Sequence, residues 1–577
     1  MVNLNVQLPV AEWVQSFTDW LTQTFSGFFS LIQHIGNDLM GGVTDTLLFI
    51  PPMLMIALLT LVAYLASQKK WQLPVLTALG LLFIWNQGLW EHLMSTITLV
   101  IVSSAISIVI GVPLGIWMAK SRKVAAVTGP ILDFMQTMPS FVYLIPAVAF
   151  FGIGMVPGVL ASVIFALPPT VRMTHHGIRQ IPSELIEASD SFGGTARQKL
   201  VKVELPLAKP TIFTGITQTI MLALSMVVTA SMIGAPGLGR DVLSALQHAD
   251  IGTGFVAGLS LVILAMMIDR MTQALNQPVS RKRVKTAKEK KRQRLAWCAA
   301  LAGLVLLIGA RIVTSFSTEK KETITLGYVQ WDSEIASTYV MAAVLEDMGY
   351  QVDRIPLDNA VLWQSVANGE VDASTSAWLP TTHGALYEQY KDKVTDLGPN
   401  MTGVKTGLVV PSYMSVDSIA DLSNQAGQKI TGIEPGAGIM TSTEETLQAY
   451  RNLSDWELVS ASTGAMTTEL ERAIKNKEEI VLTGWSPHWM FSKYDLKYLE
   501  DPKGSMGQEE EIHTLTRKDL EQDMKEAVQV LDRFAWSQED MESVMLDINQ
   551  GMDAEAAAQK WIKDHADKVK DWQGKSS

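Results

Sequence analysis

Between Met94 and Met118 the chain reads MSTITLVIVSSAISIVIGVPLGIWM, a stretch without a charged side chain. A helix needs about 20 mostly apolar residues to cross the hydrocarbon core of a bilayer, so this stretch is long enough to be a membrane span. Similar stretches recur too often to be buried helices of a soluble protein. The eight predicted spans are Leu48–Ser67, Leu73–Trp90, Met94–Met118, Val142–Val156, Gly158–Val171, Ile212–Ile233, Ile251–Ile268 and Leu295–Thr314.

Prolines interrupt the fourth and fifth predicted spans. These are Pro146, Pro157, Pro168 and Pro169. A proline inside a helix removes a backbone hydrogen bond and clashes with the preceding turn. We therefore expect short helical pieces in this region.

Lysine and arginine set the predicted orientation, because cytoplasmic loops are enriched in both. The basic loops are Lys69–Lys70, Lys120–Lys123, Arg172–Lys209 and Arg281–Arg294. With eight spans, all four fall on one side, which is then the cytoplasm. The first 68 residues contain no lysine or arginine, which suits an external N-terminus. Everything after Thr314 is predicted to lie outside the cell.

The N-terminal 47 residues carry aromatic side chains at helical spacing, including Trp13, Phe17 and Trp20. This pattern is typical of an amphipathic helix that lies in the membrane interface. A helix packed on its own protein explains the pattern equally well, so both interpretations stay open.

The formal net charge of -12 is an average over two different halves. The first half of the chain is apolar, and the second half is acidic. Cys298 is the only cysteine, so no disulfide framework exists. The only dense basic run lies beside a predicted span, which argues against nucleic acid as a partner. No phosphate-binding G-x4-G-K-[ST] loop, metal-ligand spacing or nucleophile–base arrangement occurs. The chain is therefore predicted not to be an enzyme, with no cofactor and no metal of its own.

From Thr323 onward, short strand patterns alternate with helical patterns. This alternation predicts an α/β domain with largely parallel sheets, and its length suits two lobes with a ligand site between them. Three tryptophans, Trp331, Trp378 and Trp485, stand beside predicted strand ends, where ligands of α/β proteins usually bind. Aromatic faces suit a methylated ammonium, each ring contributing about 0.5 to 2 kcal/mol. Core packing is the alternative, and it fits Trp363, Trp456 and Trp489.

One predicted cytoplasmic loop resembles the coupling loop of bacterial ABC importer permeases, a Glu-Ala-Ala motif followed at fixed spacing by Gly and Leu-Pro. The matching residues are Glu187, Ala188, Gly193, Leu205 and Pro206. Ser189 and Val203 depart from the pattern, but every spacing is kept. The resemblance implies a helix-turn-helix that docks on an ATPase subunit. Small residues allow close packing there, and Pro206 is expected to end the second helix.

The whole chain resembles the fused permease and substrate-binding subunit of OpuA-type (OpuABC) glycine betaine ABC importers. In that family three tryptophans enclose the quaternary ammonium, and a Gly-Ile backbone pair and a histidine hold the carboxylate. By motif, the tryptophans are Trp331, Trp378 and Trp485, the pair is Gly438-Ile439, and the histidine is His383 in Trp378-Leu-Pro-Thr-Thr-His.

The implied fold is a type I-like helical permease with about eight spans, fused to a two-lobe α/β domain of the periplasmic-binding-protein kind. The predicted segments are an interfacial 1–47, a permease 48–275 with coupling loop 184–210, a basic linker 276–294, a last span 295–314, a tether 315–321 and an extracellular binding domain 322–577.

The resemblance also implies the partners and the role of the chain. The partners are two ATPase subunits that carry ATP and Mg²⁺, a second copy of this chain, the bilayer and a zwitterionic solute. The implied location is the cell membrane of a Gram-positive bacterium. The implied role is the import of glycine betaine and proline betaine under osmotic stress. The basic run Arg281–Arg294 either binds anionic lipid headgroups or only fixes the topology.

Two alternative functions remain open from the sequence. An importer of carnitine or choline would use the same tryptophans, although choline has no carboxylate for Gly438, Ile439 and His383. A membrane sensor would bind a ligand outside without transporting it. Such a sensor should carry a cytosolic signalling module, whereas only loops are predicted in the cytosol.

Overall fold

The computed structural model describes residues 9–67, 71–248, 250–276 and 322–575. The chain divides into two compact units. One comes from the N-terminal half, and the other contains the C-terminal half together with Leu243–Gly254. The predicted last span Leu295–Thr314, the tether 315–321 and the basic runs Lys69–Lys70 and Arg281–Arg294 lie outside the described residues.

The described part of the N-terminal half is helical, as predicted. Its helices are Val10–Thr24, Ser26–Phe49, Pro52–Ala66, Gln72–Asn86, Trp90–Lys120, Arg122–Thr137, Leu144–Phe151, Met155–Arg179, Ser183–Ser191, Ala196–Lys199, Leu205–Ser231, Leu238–Gln247 and Ile251–Asn276.

Within the described residues, four helical segments are long and apolar enough to cross a bilayer: Trp90–Lys120, Met155–Arg179, Ala196–Ser231 and Ile251–Ala274. Two bent pairs raise the count to six if each pair is one span. The pair Ser26–Phe49 and Pro52–Ala66 bends by 97°, and the pair Arg122–Thr137 and Ser140–Phe151 bends by 110°. Gln72–Asn86 is apolar but shorter. By length and composition the described residues thus hold four to six candidate spans and one shorter apolar helix, against the seven spans predicted for them.

The predicted spans Val142–Val156 and Gly158–Val171 are wrong in their boundaries. The first is only the short helix Leu144–Phe151, and the second belongs to the continuous helix Met155–Arg179. Gly152 and Gly154 separate the two helices with φ angles of 68° and 102°, which glycine adopts readily. Proline is tolerated in a membrane helix when neighbouring helices satisfy the freed backbone groups, and the prolines of Met155–Arg179 are buried in this way.

Small residues allow three of the long helices to pack closely: Trp90–Lys120, Met155–Arg179 and Leu205–Ser231. A Cβ atom on Gly115 would lie 2.6 Å from the Val171 carbonyl oxygen, and one on Gly215 would lie 2.9 Å from that of Pro169. The hydroxyls of Thr170 and Thr219 are 2.7 Å apart in the same interface. Close backbone contact and interhelical hydrogen bonds replace the hydrophobic driving force that a bilayer cannot supply.

The C-terminal half forms a mixed nine-stranded sheet with the order β2-β1-β3-β9-β4-β7-β5-β6, in which β8 pairs with β4. The strands are β1 Thr323–Tyr328, β2 Gln351–Pro356, β3 Ala373–Leu379, β4 Val394–Pro411, β5 Lys429–Thr431, β6 Glu457–Val459, β7 Val481–Ser486, β8 Leu496–Tyr498 and β9 Glu510–Arg517. The outer strands β1–β2 and β5–β6 are parallel, as predicted. The prediction of largely parallel sheets is wrong for the centre, because β9 runs antiparallel to β3 and β4, and β4 runs antiparallel to β7.

The long strand β4 divides this sheet into two halves. Its first part pairs with β9, beside β1, β2 and β3, and its last part pairs with β7 and β8. Helices flank the strands: Asp332–Asp347, Asn359–Asn368, Gly384–Tyr390, Gly438–Ala449, Thr463–Asn476, Trp489–Lys493, Leu520–Asp523, Lys525–Arg533, Gln538–Asn549, Ala554–Asp564 and Ala566–Trp572. The α/β class and the two-part organisation predicted from the sequence are confirmed.

A charged pair joins the end of the helix Trp90–Lys120 to the C-terminal part of the predicted coupling loop 184–210. The Lys120 ammonium donates to the Glu204 carboxylate at 2.6 Å, and the Glu204 side chain is almost fully buried. We expect Lys120→Met to destabilise the protein by about 3 kcal/mol, because it leaves a buried carboxylate without its counter-charge. Thermal unfolding of the purified chain in detergent measures this loss.

The exposed Lys123 provides the matched control, and Lys123→Met should leave the unfolding midpoint unchanged. The double variant Lys120→Met/Glu204→Gln should recover much of the lost stability, because neither charge then remains. An equal loss in Lys120→Met and Lys123→Met would show that the pair contributes nothing.

Candidate functional site

A cavity between the two halves of the C-terminal sheet collects all six residues that the sequence predicted for ligand binding. It is lined by Trp331, Ser333, Trp378, Thr382, His383, Thr406, Ile433, Ala437, Gly438, Ile439 and Trp485. The lining is mostly apolar, with few polar groups, which is typical of small-molecule sites. Sequence reasoning missed the hydroxyl side chains Ser333, Thr382 and Thr406, although Ser333 and Thr382 flank predicted residues.

The three tryptophans reach the cavity from three different strands. Trp331 follows β1, Trp378 lies near the end of β3, and Trp485 lies near the end of β7. Their exposed fractions are only 8%, 4% and 5%. Neighbouring rings hold two of them: Trp331 stacks on His383 with centroids 6.0 Å apart, and Trp485 meets His488 edge-on at 4.6 Å. The cavity therefore has rigid aromatic walls.

Another part of the lining is the first turn of the helix Gly438–Ala449. The first N–H groups of a helix have no partner within the helix, so they are available to an anion. A Cβ atom on residue 438 would lie 2.0 Å from the carbonyl oxygen of Thr382, so only glycine fits there. Gly438 thus brings the helix start next to the loop that carries His383.

His383 is held in one neutral form. Its Nδ1 atom accepts the backbone N–H of Trp378 at 3.1 Å, so the ring proton must sit on Nε2. Burial lowers the pKa of His383 to about 4, so the ring stays neutral at physiological pH. Nε2 has no partner among the described residues. The ring therefore offers one free N–H donor.

A second, smaller cavity lies behind His383. Its polar lining includes Glu334, Asn359 and His383, and Trp363 packs there against the histidine ring at 5.8 Å. The Glu334 Oε2 atom accepts the Val329 N–H at 2.6 Å, whereas Oε1 has no partner among the described residues. Burial raises the pKa of Glu334 to about 8, so this carboxyl group is protonated at neutral pH. No local sequence pattern indicated that Glu334 is buried and protonated.

The tryptophans assigned to packing lie outside the first cavity. Trp456 donates its N–H to the Ser423 carbonyl, and Trp489 packs beside His488. His488 is fully buried, and its Nδ1 accepts the Met490 N–H. Within the described residues, no group of three or more His, Cys, Asp or Glu side chains could hold a metal ion.

The segment that resembles a coupling loop forms a helix-turn-helix. Glu187 and Ala188 lie on the helix Ser183–Ser191, and Gly193 turns the chain with φ of 74°. Capping by Thr195 starts the next helix at Ala196. The helix Ser183–Ser191 buries none of its residues, and the adjacent Phe192 is 92% exposed. Phe192 thus leaves an apolar surface exposed beside this helix.

The expectation that Pro206 ends the second helix is wrong. Leu205 and Pro206 begin the helix Leu205–Ser231, and the helical segment runs from Ala196 to Ser231. The reason is a π-helical turn over Leu200–Glu204, in which the Leu205 N–H bonds to the carbonyl five residues back. Proline is tolerated in the first turn of a helix, because its missing N–H has no acceptor there.

Two family models match this sequence. Residues 322–564 match the substrate-binding domain of ABC-type glycine betaine transport systems. Residues 111–281 match the inner membrane component of binding-protein-dependent transport systems. The two models cover the receptor and the permease that the sequence predicted.

Curated relatives match each half separately. The glycine betaine/carnitine transport permease protein GbuB of Listeria monocytogenes is 57% identical over 276 residues, which is 47% of this chain and 96% of that protein. The binding protein GbuC of the same organism is 52% identical over 157 residues, which is 27% of this chain and 52% of that protein. The solved structure of lactococcal OpuAC with glycine betaine is 55% identical and covers 44% of this chain and 99% of that one, with a TM-score of 0.43.

The buried carboxyl group of Glu334 predicts a pH-dependent stability. Its pKa rises from 4.5 to about 8 on folding. Between these values the unfolded chain releases the proton and the folded chain keeps it, so Glu334 lowers the free energy of unfolding as the pH rises. Glu334→Gln removes this effect. We expect the stability of this variant, relative to the original chain, to increase from about pH 5 to about pH 8.

Thermal unfolding at a series of pH values tests this expectation. His383 contributes the opposite slope, since its lowered pKa makes stability fall as the pH drops below 6.5. That slope is common to both proteins and cancels in the difference. The exposed Glu445→Gln is the control and should show no trend. A pH-independent difference for Glu334→Gln would mean that the folded chain ionises this group normally.

Proposed function

This chain belongs to the family of binding-protein-dependent ABC transporters for glycine betaine, and from this premise we propose how it imports its solute. The permease half is 57% identical to a relative of which it covers 96%, and the other half matches the family's binding domain. Permease and receptor thus lie on one polypeptide. We infer that it takes up glycine betaine, and also proline betaine, for osmoprotection. A neutral zwitterion raises internal osmolarity without adding net charge.

The juxtaposition of aromatic walls and free N–H donors in one cavity carries this proposal. A trimethylammonium group has no N–H to donate, so the faces of Trp331, Trp378 and Trp485 suit it better than a hydrogen-bond acceptor does. The carboxylate at the other end accepts from the N–H groups of Gly438 and Ile439 and from Nε2–H of His383. Gly438, Ile439 and His383 line the same cavity as the three tryptophans.

Ligand binding then joins the two halves of the domain. Trp331, Trp378 and His383 belong to the half with β1 and β3, whereas Gly438, Ile439 and Trp485 belong to the half with β5 and β7. A solute held by both halves stabilises their closed arrangement, because its contacts exist only when they are together.

We propose the partners that the family resemblance implies. Two copies of this chain combine with two ATPase subunits, which bind ATP and Mg²⁺ and supply the energy. The exposed helix Ser183–Ser191 and Phe192 dock on the ATPase and transmit its movement. The protein lies in the cell membrane of a Gram-positive bacterium, with the receptor outside and anionic lipids as neighbours of the basic linker.

Choline is a poorer candidate, since it leaves the donors at Gly438, Ile439 and His383 without an acceptor, and unpaired buried polar groups are costly. Carnitine carries both charged groups, and the Listeria relatives are named for carnitine as well as glycine betaine. Carnitine therefore belongs in the binding test. A sensor without transport does not explain the permease family match.

Removing one aromatic wall should abolish tight binding. We expect Trp378→Ala to weaken glycine betaine binding by at least about thirtyfold, because a desolvated ring contributes about 2 kcal/mol to a bound cation. Isothermal titration of the full chain in lipid nanodiscs with glycine betaine, proline betaine, carnitine, choline and glycine measures the affinities. Glycine lacks the methyl groups and should not bind.

Trp456→Phe is the matched control, since this tryptophan bonds to Ser423 away from the cavity. It should leave the affinity unchanged. Equal affinities in the original chain and in Trp378→Ala would remove the aromatic site from the proposal. Tighter binding of choline than of glycine betaine would reassign the solute.

The turn at Gly193 in the predicted coupling loop should be needed for transport but not for the binding of glycine betaine. Gly193 has a φ of 74°, a left-handed conformation that costs other residues about 1 to 2 kcal/mol. We expect Gly193→Val to lower betaine-stimulated ATP hydrolysis and uptake about tenfold. Reconstituted vesicles containing this chain and its ATPase provide the measurement.

Gly129→Val in another helix is the control, because a side chain there meets nothing within 4 Å. It should retain uptake, and both variants should bind glycine betaine normally. Normal uptake by Gly193→Val would show that the turn does not couple the two subunits.

A further inference from the structure

A carboxylate stands directly behind one of the aromatic walls of the cavity. Glu434 lies in the loop between β5 and the helix Gly438–Ala449, and its Oε2 atom accepts the indole N–H of Trp331 at 3.2 Å. Trp331 belongs to the other half of the sheet, so this hydrogen bond also crosses from one half to the other. Sequence reasoning did not select Glu434.

The position of this carboxylate is fixed by further donors. The backbone N–H of Thr463 donates to Oε1 at 2.8 Å, and the Thr463 hydroxyl donates to Oε2 at 2.9 Å. Thr463 begins the helix Thr463–Asn476, where the helix dipole favours negative charge. Three hydrogen bonds therefore hold Glu434 in one orientation towards Trp331.

We propose that Glu434 is a specificity-determining residue of the solute site, which holds the Trp331 indole in place and places negative charge behind it. Attraction between a cation and an aromatic ring is electrostatic and depends on electron density at the ring face. Hydrogen bonds polarise one another, so donation from the indole N–H to a carboxylate makes that face more negative. The site then favours a cation over a neutral group of the same shape.

Neighbouring charges support this role for Glu434. Asp332, next to Trp331 in the chain, lies 3.3 Å from Nε2 of His488. The side chain that faces the Asp332 carboxylate is therefore His488 and not Trp331. Burial, and then the negative charge of Glu434, raise the pKa of Asp358 to about 6. The negative charge of Glu434 thus acts on neighbouring groups. Because Trp331 is buried, water screens the interaction between this charge and the indole only weakly.

This inference rests on the proposed function, and the experiment separates the two. Glu434→Gln keeps the shape and one oxygen acceptor but removes the charge. The full chain in nanodiscs is titrated at pH 7 with glycine betaine and with 3,3-dimethylbutanoate, in which carbon replaces the charged nitrogen. We expect Glu434→Gln to weaken glycine betaine about tenfold, equivalent to about 1.4 kcal/mol, and 3,3-dimethylbutanoate by less than about twofold.

A double-mutant cycle provides a second measurement that needs only glycine betaine. Trp331→Phe keeps an aromatic face but removes the N–H donor. In this background, Glu434→Gln should weaken binding by less than about threefold, because its path through the indole is gone. The exposed Glu445→Gln should leave both affinities unchanged and serves as the control.

Three results would overturn the inference: no loss of betaine affinity in Glu434→Gln, equal losses for both ligands, or an undiminished loss in the Trp331→Phe background. Failure of the folded original chain to bind glycine betaine would instead overturn the proposed function. Unfolding midpoints of the variants distinguish lost folding from lost affinity.

Discussion

The cavity proposed as the solute site depends on the close contact between Gly438 and the backbone of Thr382. A side chain at residue 438 would overlap the Thr382 carbonyl, so the two halves of the sheet meet there backbone to backbone. This contact sets the separation between the helix start at Gly438–Ile439 and the neighbouring His383. Glu510 holds the Thr382 side of the contact, because its carboxylate accepts the N–H groups of Thr381 and Thr382 at 2.9 and 2.8 Å.

The sequence was sufficient for features that depend on local pattern. Apolar runs predicted the helical half, and strand-helix alternation predicted the α/β half. The family resemblance supplied the six residues that line one cavity. The same holds for the turn at Gly193, where the motif requires glycine and the backbone adopts a left-handed conformation. A local pattern is enough for the helices, the strands and this turn, because each depends on residues close together in the chain.

Features that depend on distant contacts were missed or wrongly predicted. Pro168 and Pro169 were expected to break a helix that in fact continues, since its neighbours pack around it. Strand β9, Glu510–Arg517, is rich in charge, yet it fills the centre of the sheet because β3 and β4 pair with it on both sides. Glu334 and Glu434 act through partners that are remote in sequence or through burial, which no local pattern reveals.

The charges around the cavity are arranged for a molecule that is neutral as a whole but charged at both ends. Because His383 is neutral and Glu334 is protonated, neither side chain places a charge beside the N–H donors of the cavity. An ionised Glu334 there would repel a carboxylate, and a protonated His383 would have to be desolvated with its charge. Behind the Trp331 ring the ionisable group is the carboxylate of Glu434, whose negative charge suits an ammonium group. The cavity thus offers N–H donors to a carboxylate and aromatic faces to an ammonium group, and a zwitterion can use both.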